Sequence, residues 1–345
     1  MREAKFIKKN VEKWNKYQQA TSGDPDEMAD RFITLLDDLS YAKTFYPKSK
    51  VTNWINGLAA TIYQSIYQNK KQSLPGILLF WKYELPLLFR RYHKVLLFTF
   101  LLFIGIVTVG ILSSIMDPGY ARQYFDHNVQ TGYYDETISR IRAGDPFGVY
   151  KDDNQFSMFV RIAYNNINVS FRTVISGILL GIGTLFSMWS NGLMLACFQY
   201  IFFSQGLGWQ SIMVIWVHGT IEISSLVIAS CAGFIIGTGW LFPGTYTRRQ
   251  AFLRSAKDAI KICIALVPFF IIAAFLESYI THLMSNTFQH NGSNIGLPVP
   301  VSAMILLGSL FLIWWYFIAY PLRLKKKGFS LWEGKILQNG KPYEK

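Results

Sequence analysis

Three cysteines stand in 345 residues, and Cys197, Cys231 and Cys263 all fall inside apolar runs, at spacings that suit neither paired bridges nor a thiolate metal centre. A disulfide framework is therefore excluded, and the thiols read as small core residues. The chain has no glycine-rich phosphate loop, no dinucleotide fingerprint and no Ser, His, Asp order, so an ATP-driven role would need a separate ATPase subunit. It also has no His-Glu-x-x-His pair. Acidic residues are scarce, 21 against 34 Lys and Arg, which leaves a net charge of +13. In a soluble chain that excess points to nucleic acid, but no recognition motif accompanies it, and no nucleic-acid partner is expected. A cleavable signal is not expected either, because the first apolar run begins near Val95 and no small-residue cleavage site follows it.

What the chain has in quantity is apolar sequence. Hydrophobic residues make up 51% of it, gathered into runs of about 20, the length a helix needs to cross about 30 Å of hydrocarbon. Runs at about 95–116, 169–190, 191–204, 211–242, 259–282 and 300–322 predict an all-α polytopic membrane protein with six spans in residues 94–322. The second and third runs meet at Asn191-Gly192, which reads as an inner tight turn. The basic residues orient the spans. Sixteen Lys and Arg precede the first span, five lie in Tyr246–Lys261 and seven follow Leu322, against five in the loop 117–166. By the positive-inside rule both termini are cytoplasmic and residues 117–166 form an outer loop.

Residues 1–72 are polar and periodic. Phe6, Ile7, Val11, Trp14 and Tyr17 make one apolar face; Met28, Phe32, Leu35, Leu36 and Leu39 a second; Val51, Trp54, Ile55, Leu58, Ile62 and Ile66 a third. Three such helices predict a cytoplasmic helical domain, with Asp24 capping the second and Pro25 at its first position. Residues 73–93 carry Lys82, Glu84 and Pro86 and close on Arg90 and Arg91. They are too short and interrupted to span, and read as an interfacial amphipathic elbow. Residues 323–345 read as a basic cytoplasmic tail, with anionic-lipid contact secondary.

Within the apolar runs the polar residues stand out. His218 and Glu222 are four apart and share a helix face, Glu277 lies in the fifth run, and Asn165, Asn166, Asn168 and Arg172 lie near the start of the second. The topology puts them, with His282, at similar depth in the outer half of the membrane. Three accounts remain open. One is a buried network in which Arg172 or His218 pairs Glu222 or Glu277. Another is a wet pocket for an ion, proton or lipid headgroup. The third is a metal site of His218, Glu222 and Glu277 with one position open to water. No metal, cofactor or catalytic residue is assigned. Gly177-x-x-x-Gly181 and Gly233-x-x-x-Gly237 are small-residue seams where helix backbones approach, within the chain or between the protomers of a homo-oligomer, the first being favoured.

The order of several stretches resembles the stage II sporulation protein M family of bacterial integral membrane proteins. They are FITLLDDLSYAKTFYPKSKVTNWINGLAATIYQSIY, ELPLLFRR, NNINVSFRTVISGILLGIGTLFSMWSNGLML, WVHGTIEISSLVIASCAGFIIGTGWLFPG and AAFLESYIT. The resemblance implies the bacterial cytoplasmic (inner) membrane and a non-enzymatic scaffold of an envelope complex. Its partners would be the lipid bilayer and other membrane or envelope proteins, an ATPase of the MoxR type among them. In endospore formers the founding member works during engulfment with two peptidoglycan-degrading partners. This chain departs from it in its long preamble and larger outer loop, so the sporulation role is not carried over. Two alternatives follow from the polar residues: a transporter, channel or lipid-handling protein using the His/Glu/Asn pocket, and an intramembrane metallohydrolase.

The 28-to-5 division of basic residues generates a direct test. A cysteine placed near Lys335 should resist an impermeant thiol reagent added to sealed cells and react once the membrane is permeabilised; labelling from outside would overturn the topology.

Overall fold

The computed structural model describes residues 2–19, 25–67, 74–147, 154–281, 283, 287, 298–332 and 334–343. The chain divides into two compact units, residues 1–77 and 78–345.

The first unit is built from α1 (Glu3–Gln19), α2 (Pro25–Phe45) and α3 (Lys50–Tyr67). Its core is Phe6, Trp14, Leu35, Leu39, Ala42, Ile55, Leu58, Ala59 and Ile62. The periodicity finds most of these; Leu36 turns outward because the inward stripe of α2 runs through Leu35, Leu39 and Ala42, and Trp54 of α3 stays partly exposed beside Trp14. The Trp14 indole donates to Asp38 Oδ2 at 2.8 Å, and Lys13 pairs with the same carboxylate at 2.6 Å. Asp24 lies outside the described residues.

The boundary falls within α4 (Leu74–Leu79); the second unit goes on with a π-helical turn (Phe80–Glu84) and α5 (Leu85–Arg91), and continues through α6 (His93–Met116), α7 (Tyr120–Asn128) and α8 (Tyr133–Arg142). After α9 (Gln155–Ile175) and a 3₁₀ turn at Ser176–Ile178 come α10 (Ile182–Ser204), α11 (Gly208–Leu241) and α12 (Arg248–Phe275). A π turn (Leu276–Thr281) extends α12. Then follow α13 (Val299–Trp314), a π turn (Trp315–Ala319) and α14 (Tyr320–Lys326). Among the described residues four helices are long and apolar enough to cross a membrane: His93–Met116, Gly208–Leu241, Arg248–Thr281 and Val299–Lys326. Protein buries 72% of the apolar window of α11, against 22% for α6 and 11% for Val299–Lys326, so α11 is the axis about which the unit is packed.

The second and third expected runs are divided differently. Asn191-Gly192 is not a turn: both residues lie inside α10, where the Asn191 amide donates to Ser187 O at 2.8 Å. The reversal comes at residues 176–181, where Leu180 and Gly181 have φ of 54° and 84°. Glycine favours that left-handed geometry, and the Gly181 amide closes the turn on Gly177 O at 2.9 Å. Gly192 instead admits α6, since a Cβ there would sit 2.8 Å from Ile106 Cγ2. The stretch 169–190 is thus the end of α9, the reversal and the start of α10, and 191–204 is the rest of α10.

The two glycine seams meet each other. A Cβ on Gly177 would run into the carbonyl of Gly233, and one on Gly237 would lie 2.6 Å from the Gly181 amide nitrogen. The turn after α9 therefore rests on the backbone of α11, as the intramolecular reading requires. Around the seam the Thr184 hydroxyl donates to Thr173 O at 2.8 Å, and the Thr173 and Ser187 hydroxyls pair at 2.5 Å.

The elbow differs from an interfacial helix on lipid. Leu85, Pro86, Leu87, Leu88 and Phe89 are all buried by protein, against α12, the last helices and a small sheet. Its irregular backbone explains the contact. Pro86 has no amide to give Lys82 O, and the π turn sends the Leu85 amide to Phe80 O, leaving Trp81 O. Tyr320 and Tyr316 donate to those carbonyls at 2.9 and 2.7 Å. The exchange is mutual: Pro321 withholds its amide from Phe317 O, and His93 Nε2 donates there at 3.2 Å. Glu84 pairs with Lys261, and Arg91 with Asp258 at 3.0 Å.

The tail corrects the all-α expectation. It folds into an antiparallel three-stranded sheet, β1 (Phe329–Trp332), β2 (Lys335–Gln338) and β3 (Lys341–Pro342). Asn339 and Gly340, at φ of 50° and 80°, make the two-residue turn between β2 and β3. Phe329 packs on Tyr83 with ring centroids 4.9 Å apart, and Arg91 donates to Leu331 O at 2.7 Å.

Gly233→Ala tests the seam, since its methyl would meet the Thr184 hydroxyl and the Thr173 carbonyl. It should lower stability by about 1–3 kcal/mol, read as a lower melting temperature in detergent. Gly105→Ala, with open space at its Cβ, should leave melting near wild type.

Candidate functional site

His218 and Glu222 stand one turn apart on α11, where small residues and the α12 contact bury most of the helix. Glu277 and Thr281 face them from the π turn that ends α12. Such a turn adds a residue to the helical repeat, which brings positions four apart onto nearly one line, and insertions of this kind recur at functional sites. The nitrogen of His218 and the carboxylate oxygens of Glu222 and Glu277 all lie within 4.8 Å of one another.

The imidazole is held from one side. The Thr281 hydroxyl lies 2.9 Å from His218 Nδ1 and 3.1 Å from Leu276 O, within hydrogen-bond reach of both. On the other side His218 Nε2 stands 3.9 Å from Glu277 Oε2. His218 is 4% exposed, and the Glu277 side chain 17%. Two ionised carboxylates at this separation repel by on the order of 3 kcal/mol even at an effective dielectric constant of about 20. Among the described residues no Lys or Arg pairs with Glu222 or Glu277.

Of the other candidates the structure gathers only Asn166. Ala163, Asn166, Ser170 and Thr173, spaced three and four apart, form the inward stripe of α9, and Gly177 in the following turn continues it. Asn166 brings its amide up to Glu222; the Nδ2 atom is buried, and no bond from it meets hydrogen-bond geometry. Asn165, Asn168 and Arg172 lie on a different face. Asn165 and Arg172 are exposed, and Arg172 stands beside the reversal that follows α9, far along the helix from Asn166. Arg172 is therefore no counter-ion for the carboxylates, contrary to the network in which it pairs Glu222 or Glu277. Helical spacing already distinguishes Asn166 from its neighbours, whereas Thr281 joins the site through a π turn that no sequence periodicity announces. His282 lies outside the described residues.

Ile141 of α8 packs against the buried cluster that includes Val214 and Val217, and Tyr133 stacks on Phe125 with ring centroids 4.9 Å apart. Burial, then Glu136, holds the Tyr133 phenol above its ordinary range, and Arg140 opposes this.

These features define a helical membrane protein with a buried histidine–dicarboxylate cluster at the contact of its central helix with α9 and α12. The family model described as stage II sporulation protein M matches residues 95–282, which hold the whole cluster, and the chain belongs to that family. A second model, described as a domain of unknown function (DUF8413), matches residues 4–68. No curated protein and no solved structure matches the chain.

The Thr281 hydroxyl supports the imidazole and has a close isostere without it. Thr281→Val should leave the buried Nδ1 without its hydrogen-bond partner and cost about 1–3 kcal/mol, whereas Thr281→Ser should retain most of the stability. Thermal unfolding of both variants in the same detergent checks the order.

Proposed function

We propose that this chain is a non-enzymatic organiser of an envelope complex in the bacterial cytoplasmic membrane. In this reading it crosses six times, with α9 and α10 forming the second and third passes, and keeps both termini in the cytoplasm. The observation that carries the proposal is a pairing of parts. A helical unit with its own core, residues 1–77, is joined to a membrane unit whose central helix is gripped backbone to backbone at Gly177 and Gly233. A rigid membrane body and an appended helical module are what gathering partners on one membrane face requires. Family membership supports the same role. Sequence motifs for nucleotide use are absent, so an ATPase, where one takes part, is a separate partner.

Lipid handling is the second reading, and one observation favours it. A groove of about 610 Å³ runs between α6, α10, α11 and α13, lined by Phe103, Leu195, Gln199, Thr220, Leu310 and Phe317 among others. Its walls are mostly apolar, with His93, Gln199, Thr220 and Ser224 among the polar points along them. His218, Glu222 and Glu277 do not line it, which separates any lipid-binding role of the groove from the polar cluster.

Native gels of cross-linked membranes test the organiser. The full chain should run in assemblies that contain other membrane or envelope proteins. Deleting residues 1–77 should disperse them, and Glu222→Gln should leave them intact. A chain that runs alone in native membranes and conducts ions or moves lipid in reconstituted vesicles would replace this reading with the transport one.

A further inference from the structure

We propose that His218, Glu222 and Glu277 bind one divalent transition-metal ion of the zinc class, which cross-ties α11 to α12. The donor atoms converge to within 4.8 Å from two helices, in a site walled by α9. Ligands about 2.1 Å from a tetrahedral ion stand about 3.4 Å apart, so small rotamer adjustments close the set on an ion.

Charge selects the ion. In low dielectric two carboxylates with no Lys or Arg partner among the described residues must take up a proton or gain an opposing charge. A divalent cation with a neutral imidazole brings the site to net zero, whereas a monovalent ion leaves it negative. Donor chemistry narrows it further: one imidazole nitrogen and two carboxylate oxygens suit zinc, manganese or ferrous iron, whereas calcium requires six or more oxygens.

The setting of the imidazole has the same direction. Metal-bound histidines commonly engage their second ring nitrogen with a fixed partner, which orients the ring toward the ion. Here Nδ1 lies 2.9 Å from the Thr281 hydroxyl, which also reaches Leu276 O, and Nε2 faces Glu277 Oε2. The buried Asn166 amide beside Glu222 is placed to support the carboxylate oxygen that does not ligate. The ion's role in this proposal is structural: it fixes the π turn against the central helix, beyond the organiser role and independent of it.

The test uses untagged full-length protein in detergent, stripped with a chelator and titrated with cobalt chloride and then zinc chloride. The expected result is one equivalent of cobalt with visible ligand-field bands and no near-ultraviolet thiolate charge transfer. Zinc should displace it, and the melting temperature should rise on metal addition. Glu277→Gln and His218→Ala should weaken binding at least tenfold. Should those variants fail to fold, the wild-type titration decides by itself, and Glu222→Asp, which retains the carboxylate, should shift the cobalt spectrum. Substoichiometric metal with no ligand-field band, or a thiolate band from a cysteine site, would overturn the proposal; the first would leave a proton shared between the two glutamates.

Discussion

A backbone carbonyl that loses its helical amide inside an apolar environment must be met by another protein group, because hydrocarbon offers no hydrogen bond. Much of the second unit's irregular structure follows from that constraint. The elbow and the last helix each contain a proline, and each supplies the donor the other lacks: Tyr320 and Tyr316 to the carbonyls around Pro86, and His93, just past the elbow, to Phe317 O. This reciprocity fastens the start of the unit to its end and lets the small sheet dock on Tyr83. A kinked helix without such donors would carry the full desolvation cost of each orphaned carbonyl.

Close packing at the centre obeys a related economy. Lipid tails are as apolar as leucine, so helix contact gains little from hydrophobicity and depends on how near the backbones come. The α9–α10 reversal seats Gly177 on Gly233 and Gly181 against Gly237, while Gly110 and Gly192 bring α6 and α10 together. Hydroxyls at Thr173, Thr184 and Ser187 then bond across the short distance. The seam holds α9 at the depth where its inward stripe puts Asn166 beside Glu222.

The polar cluster sits where three of these packed elements meet. Its rigidity comes from the glycine seam on one side and the π turn on the other, and its imidazole is held by a hydroxyl that also reaches a backbone carbonyl. A site so constrained presents one nitrogen and two carboxylates in one arrangement.

The sequence by itself determined the helical membrane character, the His218–Glu222 pairing, the glycine seams and most of the first unit's core, because each depends on local periodicity and composition. It also carried signals that periodicity alone ranks poorly: Asn339-Gly340 marks the hairpin, and the 163, 166, 170, 173 spacing marks the inward face of α9. The tertiary structure decided the rest. Asn191-Gly192 has turn chemistry, yet the chain turns at 176–181, because the glycine at 192 is needed against Ile106 and the ones at 177 and 181 against α11. The elbow's apolar face, amphipathic enough for a lipid surface, is covered by protein because its freed carbonyls find their donors in the last helix. Glu277 and Thr281 reach His218 only through a π turn, a one-residue change of phase that depends on packing against α11 and leaves no mark in residue spacing.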